Sequence, residues 1–138
     1  MATAAEHKII IEKGADYKLE VQISNSGVAT DHVDVADYSI YLTIQYADEN
    51  GDIQYLVGGN ATTMNRFEGT KVPDVAGADP LTYDNGNMEI TVDKAITAGF
   101  PTRTEPFKTA YEYFYHVDIE STTGTETRIL RGKCAIRD

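Results

Sequence analysis

A single antiparallel β-sandwich of about seven strands, immunoglobulin-like and with little helix, is the fold that this sequence predicts. Apolar residues alternate with polar residues in several short runs, and glycine, asparagine and aspartate separate these runs. Helical spacing of apolar residues is scarce by comparison. With 138 residues, one domain over 1–138 has the length to bury a core of its own.

Period-two alternation predicts the individual strands. In DYKLEVQIS the side chains of Tyr17, Leu19, Val21 and Ile23 share one face, and polar side chains occupy the other, as in a half-buried strand. The same alternation predicts strands at YSIYLTIQY, NMEITV, AYEYFYHVDIE and TRILRGKCAIR, with a first strand at HKIIIEK and a short one at DIQYLV.

The run ADENGDI, between two of these strands, has two interpretations. Asp48, Asn50 and Asp52 have the spacing of the first three ligands of an EF-hand loop. However, the sixth position holds isoleucine and the twelfth holds glycine, and strands flank the run where an EF-hand needs helices. Asn50-Gly51 supplies the positive φ of a tight turn, so the sequence predicts a β-hairpin.

Three other segments connect the strands. The segment 58–86 is rich in glycine, proline, asparagine and aspartate, and this composition predicts an extended loop across one end of the sandwich. GFPTRTEPF predicts a second exposed connection. TVDKAITAGF predicts one or two helical turns, capped by Asp93 or Thr91. Gly14 is expected to have positive φ or to lie in a bulge, where the first strand leads into the second.

Composition and charge exclude several classes of function. The chain has 22 acidic and 12 basic residues and a formal charge of −10, so its surface repels nucleic acid. The start MATAAEHKIII lacks the basic and apolar regions of a signal peptide, and no run has the length of a membrane span. We therefore expect a soluble protein made in a cytoplasm, with no membrane partner. Cys134 is the single cysteine and is predicted to be a small buried hydrophobe.

The sequence contains no recognisable catalytic motif. His7, His32 and His116 lack an oriented partner in the sequence, and surface or structural roles are expected for them. No nucleophile motif, phosphate-binding glycine loop or zinc motif is present, so we predict neither an enzyme nor a cofactor. In DHVDVAD the aspartates are expected to form a solvated acidic loop, and a divalent cation held there is the alternative.

The candidate docking surface comprises the basic last strand and the 58–86 loop. Arg128, Arg131, Lys133 and Arg137 are four of the 12 basic residues and fall within the last eleven positions. One interpretation is a solvated face that discourages aggregation between strand edges. The other is a stripe that docks an acidic neighbour, another copy or another subunit. Tyr83, in the long 58–86 segment, is added as a candidate interface residue.

The order of the segments resembles small β-sandwich domains of tailed-bacteriophage virions, including the N-terminal domains of upper-baseplate proteins. The resemblance covers most of the chain through short elements: EKGADY, then DY before the second long strand, NGNMEITV, YEYFYHVDIE and LRG. The matching residues are Glu12, Gly14, Ala15, Asp16, Asp37, Tyr38, Gly86, Tyr113, Leu130 and Gly132.

This resemblance implies a virion structural protein that docks onto other virion proteins, as a tail, baseplate or neck component. It also implies a place in the virion after synthesis in the bacterial host, with a homo-oligomer on a symmetric assembly as one arrangement. Two alternatives remain open from the sequence: a capsid decoration protein and a carbohydrate-binding adhesion module.

Overall fold

The computed structural model describes residues 5–24, 32–47, 50–56, 66–100 and 113–137. Within these residues the chain forms ten strands and one short helix. The strands are β1 (Ala5–Glu6), β2 (Ile9–Glu12), β3 (Tyr17–Gln22), β4 (Tyr38–Ala47), β5 (Ile53–Tyr55), β6 (Phe67–Glu68), β7 (Thr70–Lys71), β8 (Asn87–Val92), β9 (Tyr113–Ser121) and β10 (Glu126–Arg137), and the helix is α1 (Lys94–Thr97).

Two sheets make up an all-β, immunoglobulin-like sandwich. The large sheet has the order β1-β10-β9-β4-β5, with β2 also on β10 and β6 also on β4, and the small sheet has the order β3-β8-β7. The strands β10, β9, β4 and β5 correspond to strands G, F, C and C′ of an immunoglobulin domain. The facing strands β3, β8 and β7 correspond to strands B, E and D. The predicted fold class is therefore confirmed by the strand order.

Two details depart from the predicted arrangement. β1 and β2 pair in parallel with β10, whereas every other strand pair is antiparallel within the described residues. The segment 58–86 is not an uninterrupted loop, because it contributes β6 and β7, and Phe67 is fully buried. Two-residue strands are too short to show an alternating pattern, so composition alone indicated a loop.

The core lies between the sheets and consists of the side chains that the alternation placed inward. In the large sheet, the buried residues are Ile40, Leu42 and Ile44 of β4 and Tyr113, Tyr115, Val117 and Ile119 of β9. Met88, Ile90 and Val92 of β8 face them from the small sheet. Tyr17, Leu19 and Val21 are half-buried against this core, as expected for a strand at the edge of a sheet. Tyr111, which alternation in AYEYFYHVDIE places on the same face as Tyr113, lies outside the described residues.

The predicted β-hairpin is present. β4 and β5 pair with Gln45 opposite Tyr55 and Ala47 opposite Ile53, and Gly51 has a φ of 82°. Positive φ at this glycine is the turn conformation that Asn50-Gly51 predicted. Asp48 lies outside the described residues, as does Glu49.

The segment after the hairpin crosses from one sheet to the other at Gly69. β6 pairs with β4 in the large sheet, and β7 pairs with β8 in the small sheet, so the single residue between them makes the crossing. The N–H of Gly69 donates to the carbonyl of Ile40 at 2.9 Å, which holds this corner against the large sheet.

Helix α1 has about one turn, within the one or two predicted, and is capped by a distant residue. Asp93 occupies the N-cap position, but its side chain makes no capping hydrogen bond. Instead, Oδ1 of Asp16 accepts from the N–H of Lys94 at 2.7 Å. Oγ1 of buried Thr97 donates to the carbonyl of Ala15 at 2.8 Å. These hydrogen bonds connect the helix, which follows β8, to the turn at 13–16. In this turn Gly14 has a φ of 80°, as predicted.

Cys134 is buried in β10, as predicted, and its thiol gives a test of the packing. Burial raises the pKa of Cys134 to about 12 from an ordinary value of 9.0. Because the thiolate is the reactive form, we expect modification by a disulfide reagent at pH 8 to be roughly 1000-fold slower in the native protein than in denaturant. A rapid, stoichiometric reaction of the native protein would contradict the burial of this strand.

Candidate functional site

The outer face of the large sheet carries side chains in rows that run across the strands. From the registers, one row contains Tyr55, Gln45, Phe114 and Lys133, taken in order from β5 through β4 and β9 to β10. The next row contains Thr43, His116, Arg131 and Glu6. A third row contains Glu68, Tyr41, Asp118 and Arg128. At about 4.8 Å between strands, each four-strand row spans roughly 14 Å.

A β-bulge in β10 brings the basic residues to this face. Arg128 lies opposite Asp118 and Leu130 lies opposite Val117, so Ile129 is an extra residue between them. In a regular strand, residues 128 and 131 face opposite sides of the sheet, because side chains alternate. The bulge reverses the alternation once, so that Arg128, Arg131 and Lys133 all point outward. We call these three residues the basic stripe.

The basic stripe borders a concavity of about 740 Å³ in the outer face. Its lining includes Lys8 and Glu6 from the edge of the sheet and Gln45 and Phe114 from β4 and β9. A second hollow of about 310 Å³ adjoins it, and the two share Gln45, His116 and Arg128. We call these two adjoining hollows the trough.

Aromatic side chains are exposed in the first row. Phe114 is 42% exposed and Tyr55 is 42% exposed, and Gln45 lies between them on β4. Ile53 is 54% exposed and lies on the same face, two residues before Tyr55 on β5. Exposed rings beside cations and an amide are a composition that protein interfaces favour.

Asp118 organises the middle of the outer face. It is 7% exposed; its Oδ1 accepts from Nε of Arg128 at 3.1 Å and its Oδ2 lies 3.0 Å from Nδ1 of His116. Burial raises the pKa of Asp118, but its contacts with His116 and Arg128 outweigh burial, and the pKa is lowered from its ordinary value. The carboxylate therefore stays ionised and holds the Arg128 guanidinium in place.

Arg66 offsets a like-charge pair at the other end of the trough. Glu120 and Glu126 lie directly opposite each other on β9 and β10, an arrangement that is unfavourable by itself. Nη1 of Arg66 lies 2.5 Å from Oε1 of Glu126, and Nη2 lies 3.9 Å from Oε2 of Glu120. The guanidinium also stacks 3.6 Å from the ring centroid of Tyr41. Arg66 is 7% exposed, and its single positive charge offsets one of the two carboxylates, so this end of the trough keeps a net negative charge.

The other predicted docking residues lie elsewhere. Arg137 points to the same side as the basic stripe but lies opposite Glu12 at the far end of β10, outside the lining of the trough. Tyr83 is half-buried, and the Lys71 ammonium lies 4.9 Å from its ring centroid. Its carbonyl accepts from the N–H of Val35 at 3.2 Å, so it belongs to the packing of the 74–86 connection.

His32 and the acidic run have local partners. Nδ1 of His32 is 3.2 Å from Oγ of Ser24, and the same two residues form an isolated antiparallel β-bridge. Oδ1 of Asp34 accepts from the N–H of Ala36 at 2.9 Å, which is a local turn. Asp31 lies outside the described residues, which contain no group of three or more side chains suited to a metal ion.

The sequence did not single out Gln45, Phe114 or Asp118 as site residues. Alternation in YFYHVDIE already places Phe114 and Asp118 on the face opposite the core, and this signal was available. Which residue of β4 or β10 lies beside each of them depends on strand register, and register is decided by pairing between distant segments.

No family model matches this chain, and no curated protein matches it. A chain in the crystal structure of ICOS in complex with ICOS-L and an anti-ICOS-L VNAR domain aligns with 97% of this chain at a TM-score of 0.40 and 13% identity. The alignment covers 56% of that chain, so this protein spans little more than half its length. Murine CRIg aligns with 95% of this chain and 92% of its own, at a TM-score of 0.31 and 8% identity. At these values neither similarity bears on function.

No helix in the described ranges is long and apolar enough to cross a membrane.

Proposed function

We propose that this chain is a non-catalytic structural protein of a tailed-bacteriophage virion, a tail, baseplate or neck component that acts by docking onto other virion proteins. The observation that carries the proposal is the basic stripe, which aligns Arg128, Arg131 and Lys133 on one concave face of an acidic chain. The resemblance of the sequence to small virion sandwich domains supplies the biological setting.

Charge distribution supports docking as the mode of action. A formal charge of −10 makes free copies repel one another, whereas the basic stripe offers an acidic surface a local group of three cations. On a symmetric assembly a modest interface is repeated, and linked contacts raise the overall affinity without any additional kind of contact. These properties suit a subunit that is soluble alone and retained after assembly.

The proposal is tested by mass spectrometry of purified particles, with copy number measured against the major capsid and tail-tube proteins. A small multiple of three or six supports a tail, baseplate or neck position. A number near the capsomer count would instead favour a head decoration protein. Absence from particles, with the protein abundant in the infected-cell lysate, would contradict any virion role.

Reversing one charge of the basic stripe is expected to reduce incorporation. In a competition between wild type and Lys133→Glu during assembly, the variant should enter particles about tenfold less, because like charges placed at an interface are costly. Lys94→Glu is the matched control, since Lys94 is exposed on α1 and outside the lining of the trough. Incorporation is measured from variant-specific peptides. Equal incorporation of both variants would contradict this docking surface and indicate that another surface is used.

A carbohydrate-binding adhesion module is the second candidate, and the aromatic row favours it. The rings of Tyr55 and Phe114 flank Gln45, and exposed rings with an amide between them suit stacking on a sugar and hydrogen bonding to its hydroxyls. Binding on a glycan array that is lost in Phe114→Ala would support this candidate. No binding across a broad array would exclude it from further consideration.

A further inference from the structure

The larger hollow of the trough has a charge opposite to that of the whole chain. Its lining contains four cations, Lys8, Arg128, Arg131 and Lys133, and one carboxylate, Glu6. The whole chain has 12 basic and 22 acidic residues, so a third of its cations border one hollow. The protein on one side of the hollow has a low dielectric constant, which concentrates the positive potential of these cations in the hollow.

The cations differ in how firmly they are held. Arg128 donates to Asp118 through Nε, which fixes the guanidinium plane while its side chain remains 49% exposed. The bond uses Nε and leaves the two terminal nitrogens, a pair that can bind a carboxylate end-on through two hydrogen bonds. Arg131 lies 3.5 Å from Glu6, and both side chains are more than half exposed. Exposed pairs of this kind are weak, so an incoming carboxylate can replace Glu6.

The floor of the hollow offers apolar and amide contacts. Phe114 lies opposite both Gln45 and Lys133, so an exposed ring adjoins an amide on one side and a cation on the other. A glutamine amide both donates and accepts, as a peptide backbone does. A volume of about 740 Å³ lies within the range of ligand-binding clefts.

We propose that this hollow binds an acidic peptide segment of a partner protein, with carboxylates on Arg128, Arg131 and Lys133 and an apolar side chain against Phe114. Charge complementarity selects the acidic segment, and the ring beside an amide favours a peptide that carries an apolar residue. The choice of a protein as the partner rests on the proposed docking function.

The test is a titration of the ¹⁵N-labelled full chain, followed by amide chemical shifts. The probe is the acetylated, amidated peptide Glu-Glu-Phe-Glu-Glu, and the matched control peptide replaces each glutamate by glutamine. We expect saturable shifts for the acidic peptide, concentrated at Gln45, Phe114, Arg131 and Lys133. The glutamine peptide should give no saturation, and added salt should weaken binding of the acidic peptide.

Neutralising variants then locate the charge contacts. Arg131→Gln and Lys133→Gln should each weaken binding about tenfold, which corresponds to 1.4 kcal/mol. Lys94→Gln removes one cation from α1, outside the hollow, and should leave affinity unchanged. These substitutions are at exposed side chains, and circular dichroism checks that each variant is folded.

The proposal would be overturned by no saturation with the acidic peptide, by equal binding of the glutamine peptide, or by shifts on another face. Saturation by glucuronate at lower concentration than by the peptide would also overturn it, in favour of an acidic sugar. If the titration fails while Lys133→Glu is still lost from particles, docking stands and the ligand class is wrong. If the titration succeeds while the protein is absent from particles, the hollow stands and the virion role is wrong.

Discussion

Replacing Gly69 by alanine is expected to lower the free energy of unfolding by about 3 kcal/mol and the Tm by roughly 10 °C. Gly69 is the single residue between β6 and β7, where the chain leaves the large sheet for the small one. A β-carbon there would lie closer than 3.0 Å to the carbonyl oxygen of Glu89 and to the side chains of Ile90 and Ile40.

None of these three neighbours can move cheaply. The carbonyl of Glu89 belongs to the central strand of the small sheet, which pairs on both sides at this point. Ile90 and Ile40 are both fully buried, so shifting either side chain disturbs close-packed neighbours in the core. The chain must therefore move the corner away from the core, which weakens both sheets at once.

Urea denaturation of the purified variant measures this effect through the change in midpoint at constant slope. The matched control is Gly99→Ala, because a β-carbon at Gly99 meets only the carbonyl of Ile96 at an ordinary distance of 3.6 Å. We expect the control to stay within about 0.5 kcal/mol of the wild type. Equal stability of the two variants would show that the crossing between sheets is not tightly packed.

Replacing Asp118 by asparagine is expected to cost about 2 kcal/mol at pH 7. The side chain is almost fully buried and holds Arg128 and His116 through separate carboxylate oxygens. Asparagine keeps the shape but removes the negative charge and one of the two acceptor oxygens. Exposed Asp84→Asn is the control, and it should leave the stability within about 0.5 kcal/mol of the wild type.

The cost of Asp118→Asn should depend on pH with a definite sign. The pKa of Asp118 is lower in the folded chain than its ordinary value of 3.8. The carboxylate therefore stabilises the fold fully above about pH 4 and loses this contribution as pH falls through the lower folded pKa. Urea denaturation at several pH values between 7 and 2 should show the difference from wild type shrinking only at the acid end. A difference that stays constant down to pH 2 would contradict the ion-pair account.

The strands and their inward faces could be predicted from the sequence because each is a local property. Alternation in YSIYLTIQY and in YEYFYHVDIE placed Ile40, Leu42 and Val117 in the core, where the structure has them. The hairpin at Asn50-Gly51 followed in the same way, since the conformational freedom of one glycine is independent of the rest of the chain.

Features that depend on residues distant in sequence could not be predicted from these local patterns. The parallel pairing of β1 and β2 with β10 joins the two ends of the described chain, and nothing within either segment specifies that direction. The capping of α1 by Asp16 joins residues 78 positions apart, and Asp93, the local candidate, does not use its side chain. The strands β6 and β7 were missed because each is only two residues long.

The candidate site shows the same division. By itself, the sequence determined that basic residues concentrate in the last strand of an acidic chain, and that Cys134 and its inward neighbours alternate with them. Only the tertiary structure decided that Arg128 joins Arg131 and Lys133, because the bulge at Ile129 is defined by pairing with β9. It also decided that Phe114 and Gln45 lie beside them and that Arg137 and Tyr83 do not, because neighbours across a sheet are set by register between strands.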